Sequence, residues 1–139
     1  MSWEKIDAND TGLLTPPPIP AGQYTLQLMG AAPNKFKPES TDVAFVVADE
    51  GSEYRGRKVF LELPDPNAFP WSAGIYARIV KSLGATVTPG LEPQVELTRL
   101  ANNGHSRLTA DIYIETFTRK DGSEGSKSKI NSRSLRAAA

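Results

Sequence analysis

A small, mostly β barrel of five strands, with one α-helix between the third and fourth, is predicted by three features of this 139-residue chain. Short segments of period-two alternation, or of continuous apolar residues, recur between turn signals, which is how strands read. Only one stretch, 72–84, switches convincingly to helical spacing. That stretch follows three strands and precedes two or three more.

The elements run in order as follows. Residues 1–21 contain Asn9-Asp10-Thr11-Gly12 and Pro16-Pro17-Pro18-Ile19-Pro20, the composition of an extended, polyproline-like lead. From Gly22, Tyr24, Leu26 and Leu28 alternate with Gln23, Thr25 and Gln27, giving a half-buried first strand with Tyr24 on the core side. Residues 31–41, with Pro33, Asn34 and Pro38, form a loop. Val43 to Ala48 is apolar on both faces, a central covered strand that includes Phe45. After the turn at 49–52, Arg57 to Leu63 makes a third strand, with Val59, Leu61 and Leu63 opposite Lys58, Phe60 and Glu62. Ile75, Tyr76, Ile79, Val80 and Leu83 then form one helical stripe. Ser72 is placed as its N-cap, Gly84 as its left-handed C′ residue and Trp71 in its core.

Residues 87–104 are ambiguous, with a short strand at 94–97 as one reading. In 107–117, Leu108, Ala110, Ile112 and Ile114 face one side and Thr109, Asp111, Tyr113, Glu115 and Phe117 the other. A loop at 121–126 leads to a last strand at 127–133, and residues 136–139 are expected to fray. Residues 22–135 thus make one domain. Three strands, a helix, then the remaining strands is the order of the oligonucleotide/oligosaccharide-binding (OB) barrel, whereas a sandwich does not ordinarily place a helix there.

Composition bounds the chemistry. Apolar residues make up 39% and charged residues 23% of the chain, an ordinary globular balance. Cysteine is absent, which excludes disulfides, thiolate metal sites and cysteine nucleophiles, and fits a reducing cytoplasmic compartment. No apolar run reaches the roughly 18 residues of a membrane span, and Met1-Ser2-Trp3-Glu4-Lys5 does not open a secretory signal. The single histidine, His105, lies in the polar turn Asn102–Ser106 and reads as a solvated side chain. No phosphate loop, zinc-protease helix or nucleophile elbow is present. The acidic loops at Asp7, Asp10, Asp49, Glu50 and Glu53 lack calcium-loop spacing. No enzyme and no cofactor are expected.

The neutral net charge conceals an asymmetry. Residues 1–117 carry 10 basic and 14 acidic side chains, while residues 118–139 carry six basic ones against Asp121 and Glu124. A second basic knot lies at Arg55, Arg57 and Lys58. Large rings share polar strand faces nearby: Phe60 with Lys58 and Glu62, and Tyr113 and Phe117 with Thr109, Asp111 and Glu115. Such rings suit a base-stacking platform, with Arg55, Arg57, Lys58, Lys127 and Lys129 on phosphates and Lys35, Phe36 and Lys37 closing from a loop. The alternative for Phe60 and Tyr113 is burial beneath the 31–41 loop or the N-terminal lead.

Three segments carry a family resemblance: Pro20-Ala21-Gly22-Gln23-Tyr24-Thr25, Glu53-Tyr54-Arg55-Gly56-Arg57-Lys58-Val59-Phe60, and the late loop returning to Asn131. Over residues 19–133 the chain resembles phage and prophage single-stranded DNA-binding proteins of the OB fold. The resemblance implies sequence-independent binding of single-stranded DNA in the host cytoplasm, with replication and recombination proteins as partners. It assigns that binding to Tyr54, Arg55, Arg57, Lys58 and Phe60. Residues 131–139 depart from the acidic tail many such proteins carry. With a net charge near zero, strong binding would call for a homo-oligomer along the strand. The rival readings are a phage protein–protein or assembly module on the same barrel, and a metal-dependent enzyme using the loops around Asp49.

Overall fold

The computed structural model describes residues 18–103 and 106–138, so residues 1–17, which hold most of the Pro-rich lead, and His105 lie outside the described residues. The chain is mostly β. In order come β1 (Gly22–Pro33), β2 (Thr41–Val47), β3 (Lys58–Leu63), α1 (Trp71–Ser82), α2 (Pro93–Asn102), β4 (Arg107–Thr118), β5 (Glu124–Ile130), a 3-10 turn (Ser132–Ser134) and β6 (Arg136–Ala137).

All pairings are antiparallel, in one sheet ordered β3-β2-β1-β4-β5 with β6 added to β4. β1 holds the sheet together by pairing with β4 through residues 22–27 and with β2 through residues 26–33. A register shift between Leu28 and Gly30 interrupts the second ladder, and a bulge there adds the twist a sheet needs to curl. Alternation decides the inner face: Leu26, Leu28, Val43, Phe45, Val47, Val59, Leu63, Leu108, Ala110 and Ile112 are all buried. Tyr76, Ile79, Val80 and Leu83 of α1, with Leu97 and Leu100 of α2, complete that core.

The structure corrects several expectations. The closed five-stranded barrel is instead an open sheet of six strands: among the described residues, no ladder joins β3 to β5, although the two edges face each other. The lead fills part of this seam. Ile19, 1% exposed, donates its backbone N–H to Ser128 Oγ (2.8 Å), and the Ser128 hydroxyl donates to the Ile19 carbonyl (3.3 Å).

A second helix, α2, stands where a strand at 94–97 was one reading. Pro93 occupies its first turn, where a missing N–H does no harm. Leu97 and Leu100 face the core, and Glu96 is buried because Arg99 forks onto it at 2.8–3.1 Å. Ser72 does not cap α1: the N-cap is Pro70, without a side-chain bond, and Ser72 is buried. The other end is as expected. Gly84, at φ 79°, directs its N–H to the Lys81 carbonyl and that of Ala85 to Val80, a Schellman closure.

β1 continues to Pro33, shortening the loop to residues 34–40. β5 ends at Ile130, because the Asn131 side chain accepts the Arg133 N–H and starts the 3-10 turn. Residues 136–137, expected to fray, pair with Leu108 and Thr109, which buries Thr109. Beyond Ile112 the β4–β5 ribbon leaves the core, so Ile114 is exposed despite its place in the inward alternation.

Candidate nucleic-acid interface

The seam between β3 and β5 opens into a cleft of about 690 Å³. One wall is β3. Its alternation sends Val59 and Leu63 inward and Lys58, Phe60 and Glu62 outward. Phe60 pairs with Ala44, too small to cover it, and stands 55% exposed. The other wall is the β4–β5 ribbon, where Tyr113, 44% exposed, lies opposite Lys129, and Glu115 lies opposite Lys127. Directly opposed residues of an antiparallel pair share a face, so Tyr113, Lys127 and Lys129 point the same way.

Six of the sequence-predicted side chains therefore line one cleft: Arg57, Lys58, Phe60, Tyr113, Lys127 and Lys129. Its charge is tempered. Asp42 and Glu62 also line it, and Glu115 takes Lys129 Nζ at 3.3 Å and Lys127 Nζ at 3.9 Å, one carboxylate across two lysines.

The remaining predicted residues lie outside this cleft. Phe36 projects from the β1–β2 loop at 86% exposure, with Lys35 Nζ 5.9 Å from its ring centroid. Asn34 shapes that loop by accepting the N–H groups of Phe36 and Lys37, both at 2.9 Å. Tyr54 is half-buried against the core in the turn before β3; its hydrogen bond with Glu53 raises the phenol above its usual range. Arg55 is exposed in the same turn, away from the cleft.

Phe117 is already engaged. Its ring lies 5.5 Å from the Arg119 guanidinium and 5.6 Å from Lys127 Nζ, and it crosses over Gly125, its partner in register. A Cβ at position 125 would stand 2.6 Å from Phe117 Cζ and 2.7 Å from Arg119 Nη2, so only glycine admits this stack unmoved.

Trp71, expected in the core, instead lines the cleft at 56% exposure. The buried stripe enters the first turn one residue later than the sequence suggested, since Ser72 and Tyr76, not Trp71, face inward. The roles of Glu115, Arg119 and Trp71 were missed; for Glu115 the signal was its register with β5. Among the described residues, no group of three His, Cys, Asp or Glu side chains could hold a metal ion, and no helix is long and apolar enough to cross a membrane. Comparison with protein-family models, curated proteins and solved structures finds no match.

Proposed function

We infer that this domain binds single-stranded DNA without sequence preference, as a non-enzymatic protein of replication or recombination, on an OB-like barrel left open at the β3/β5 seam. The observation that carries this reading is the pair of exposed rings, Phe60 and Tyr113, in one cleft with Arg57, Lys58, Lys127 and Lys129. Every nucleobase offers a π-face, so stacking on such rings is tolerant of sequence and contributes about 1–3 kcal/mol per base. Cations beside them follow the phosphates. Because Asp42, Glu62 and Glu115 offset those cations, stacking supplies the larger share of affinity and the salt dependence is shallow. The OB fold gains support from the strand order, with β3 and β5 at facing edges, and from the Phe36 loop joining β1 to β2, a region such barrels use for oligonucleotides.

The test is fluorescence anisotropy with a labelled oligo-dT of about 30 nucleotides, long enough for several site sizes, at low and high salt and with duplex competitor. Single-strand binding that survives duplex and weakens with salt is the expected result. Phe60→Ala should weaken it by about 1–3 kcal/mol while leaving the melting temperature unchanged, since the ring is more exposed than buried. No binding at micromolar protein in low salt refutes the reading.

A further inference from the structure

The aromatic surface of the cleft continues past β3. Trp71 opens α1 and lines the same cleft as Phe60 and Tyr113. Its ring centroid lies 5.8 Å from that of Phe69, with the planes tilted by 56°, a favourable aromatic geometry. Phe69 is itself exposed. An indole left half in water beside a second exposed ring forgoes the burial that a helix stripe offers, and such a ring pair is suited to a contact.

The chemistry around the indole selects the occupant. The first turn of α1 holds no acidic residue. The three rings of the cleft come from three elements and are separated by charged side chains: Lys58 and Glu62 flank Phe60 along β3, and Lys129 stands opposite Tyr113. A protein contact favours a contiguous apolar centre depleted of charge. Separate rings set among charged side chains, Lys58 and Lys129 included, suit successive bases joined by phosphates.

We propose that Trp71, braced by Phe69, is a further stacking station, so that a bound single strand touches the β4–β5 ribbon, β3 and the N-terminal turn of α1. This proposal rests on the reading of the cleft as a single-strand site. It deepens that reading by extending the site from the sheet onto a helix.

The chain has two tryptophans, Trp3 and Trp71, so Trp3→Phe makes emission report Trp71 alone. That full-length variant is titrated with oligo-dT of lengths from about 4 to about 16 nucleotides, the range of site sizes for one OB domain, with anisotropy read in parallel. The expected results are quenching of Trp71 in step with binding, and a loss of about 5- to 140-fold in affinity for the longer strands in Trp71→Ala, the equivalent of one stacked base. Affinity of that variant should stop rising at a shorter length than for the unmodified protein, and Trp71→Tyr should restore most of it. Thermal melting confirms that Trp71→Ala stays folded. Unchanged affinity in Trp71→Ala together with unquenched Trp71 emission overturns the proposal. Absence of any binding by the unmodified protein instead overturns the cleft reading and this proposal with it.

Discussion

Glu115→Gln should tighten single-strand binding and steepen its dependence on salt. The carboxylate of Glu115 holds Lys129 at 3.3 Å and Lys127 at 3.9 Å, and all three side chains are substantially exposed. A phosphate recruiting either lysine must compete with that carboxylate. Each exposed pair is worth about 0.2–1 kcal/mol, so releasing both makes about 0.4–2 kcal/mol available for phosphate contacts. At 1.4 kcal/mol per decade, affinity at low salt should rise about 2- to 30-fold. Each additional phosphate neutralised steepens the plot of log affinity against log salt by about 0.7 for a single strand, so two lysines add up to about 1.4. Glutamine keeps the shape of the side chain, and loss of exposed pairs should move stability by less than about 1 kcal/mol. The assay is the oligo-dT titration at four or more salt concentrations. Unchanged affinity and unchanged slope in a folded variant would show that Lys127 and Lys129 do not meet phosphate.

Three further outcomes test the packing that shapes the cleft. Ile19→Ala should cost about 2–5 kcal/mol in chemical denaturation, as for other buried Ile truncations, because Ile19 is wholly buried in the seam; a loss under about 0.5 kcal/mol would mean the lead contributes nothing there. Arg99→Ala strips the buried Glu96 carboxylate of its fork and leaves, among the described residues, only the Thr88 hydroxyl at 3.3 Å. It should cost about 2–4 kcal/mol, below the range for a fully buried pair because Arg99 is half exposed, again read by denaturation. The Tyr76 hydroxyl is buried and has no hydrogen-bond partner among the described residues. Tyr76→Phe should therefore leave stability unchanged or raise it by up to about 2 kcal/mol, and a clear loss would refute that account. Burial first, and the Glu96 charge second, raise the Tyr76 phenol above its usual value. Its neutral form then contributes stability that is complete below the unfolded phenol's pKa and is lost as pH climbs through the folded one. Alkaline melting should show that loss in the unmodified protein and less of it in Tyr76→Phe.

Much of the site was legible because strand faces follow a local rule. Phe60 and Lys58 leave β3 opposite Val59, and Tyr113 leaves β4 opposite Ile112, wherever those strands lie in space. The α2 helix was missed: Pro93 at its start and the Leu97, Leu100 and Ala101 spacing signal it, but Pro89 and Gly90 ahead of it drew the reading toward extended chain. Ile114 shows where the rule ends. Alternation assigns it inward, yet it is exposed because the ribbon outruns the core at Ile112. Trp71 fails in the opposite direction: the stripe at 75–83 does not say which side of the first turn the core covers, and Ser72 takes that place.

The sequence by itself determined the mostly β character, the inward and outward faces of β1 and β3, the Gly84 stop of α1 and the basic–aromatic makeup of two segments far apart in the chain. Each follows from steric or hydrogen-bonding preferences reaching only a few residues. Tertiary structure alone decided that β3 and β5 face each other without a ladder, that Ile19 enters their seam, that one glutamate serves two lysines, and that Gly125 lies beneath Phe117. Those features depend on register and on the closure of long loops. There, one residue of slip flips a side chain to the other face, and no local preference registers the change.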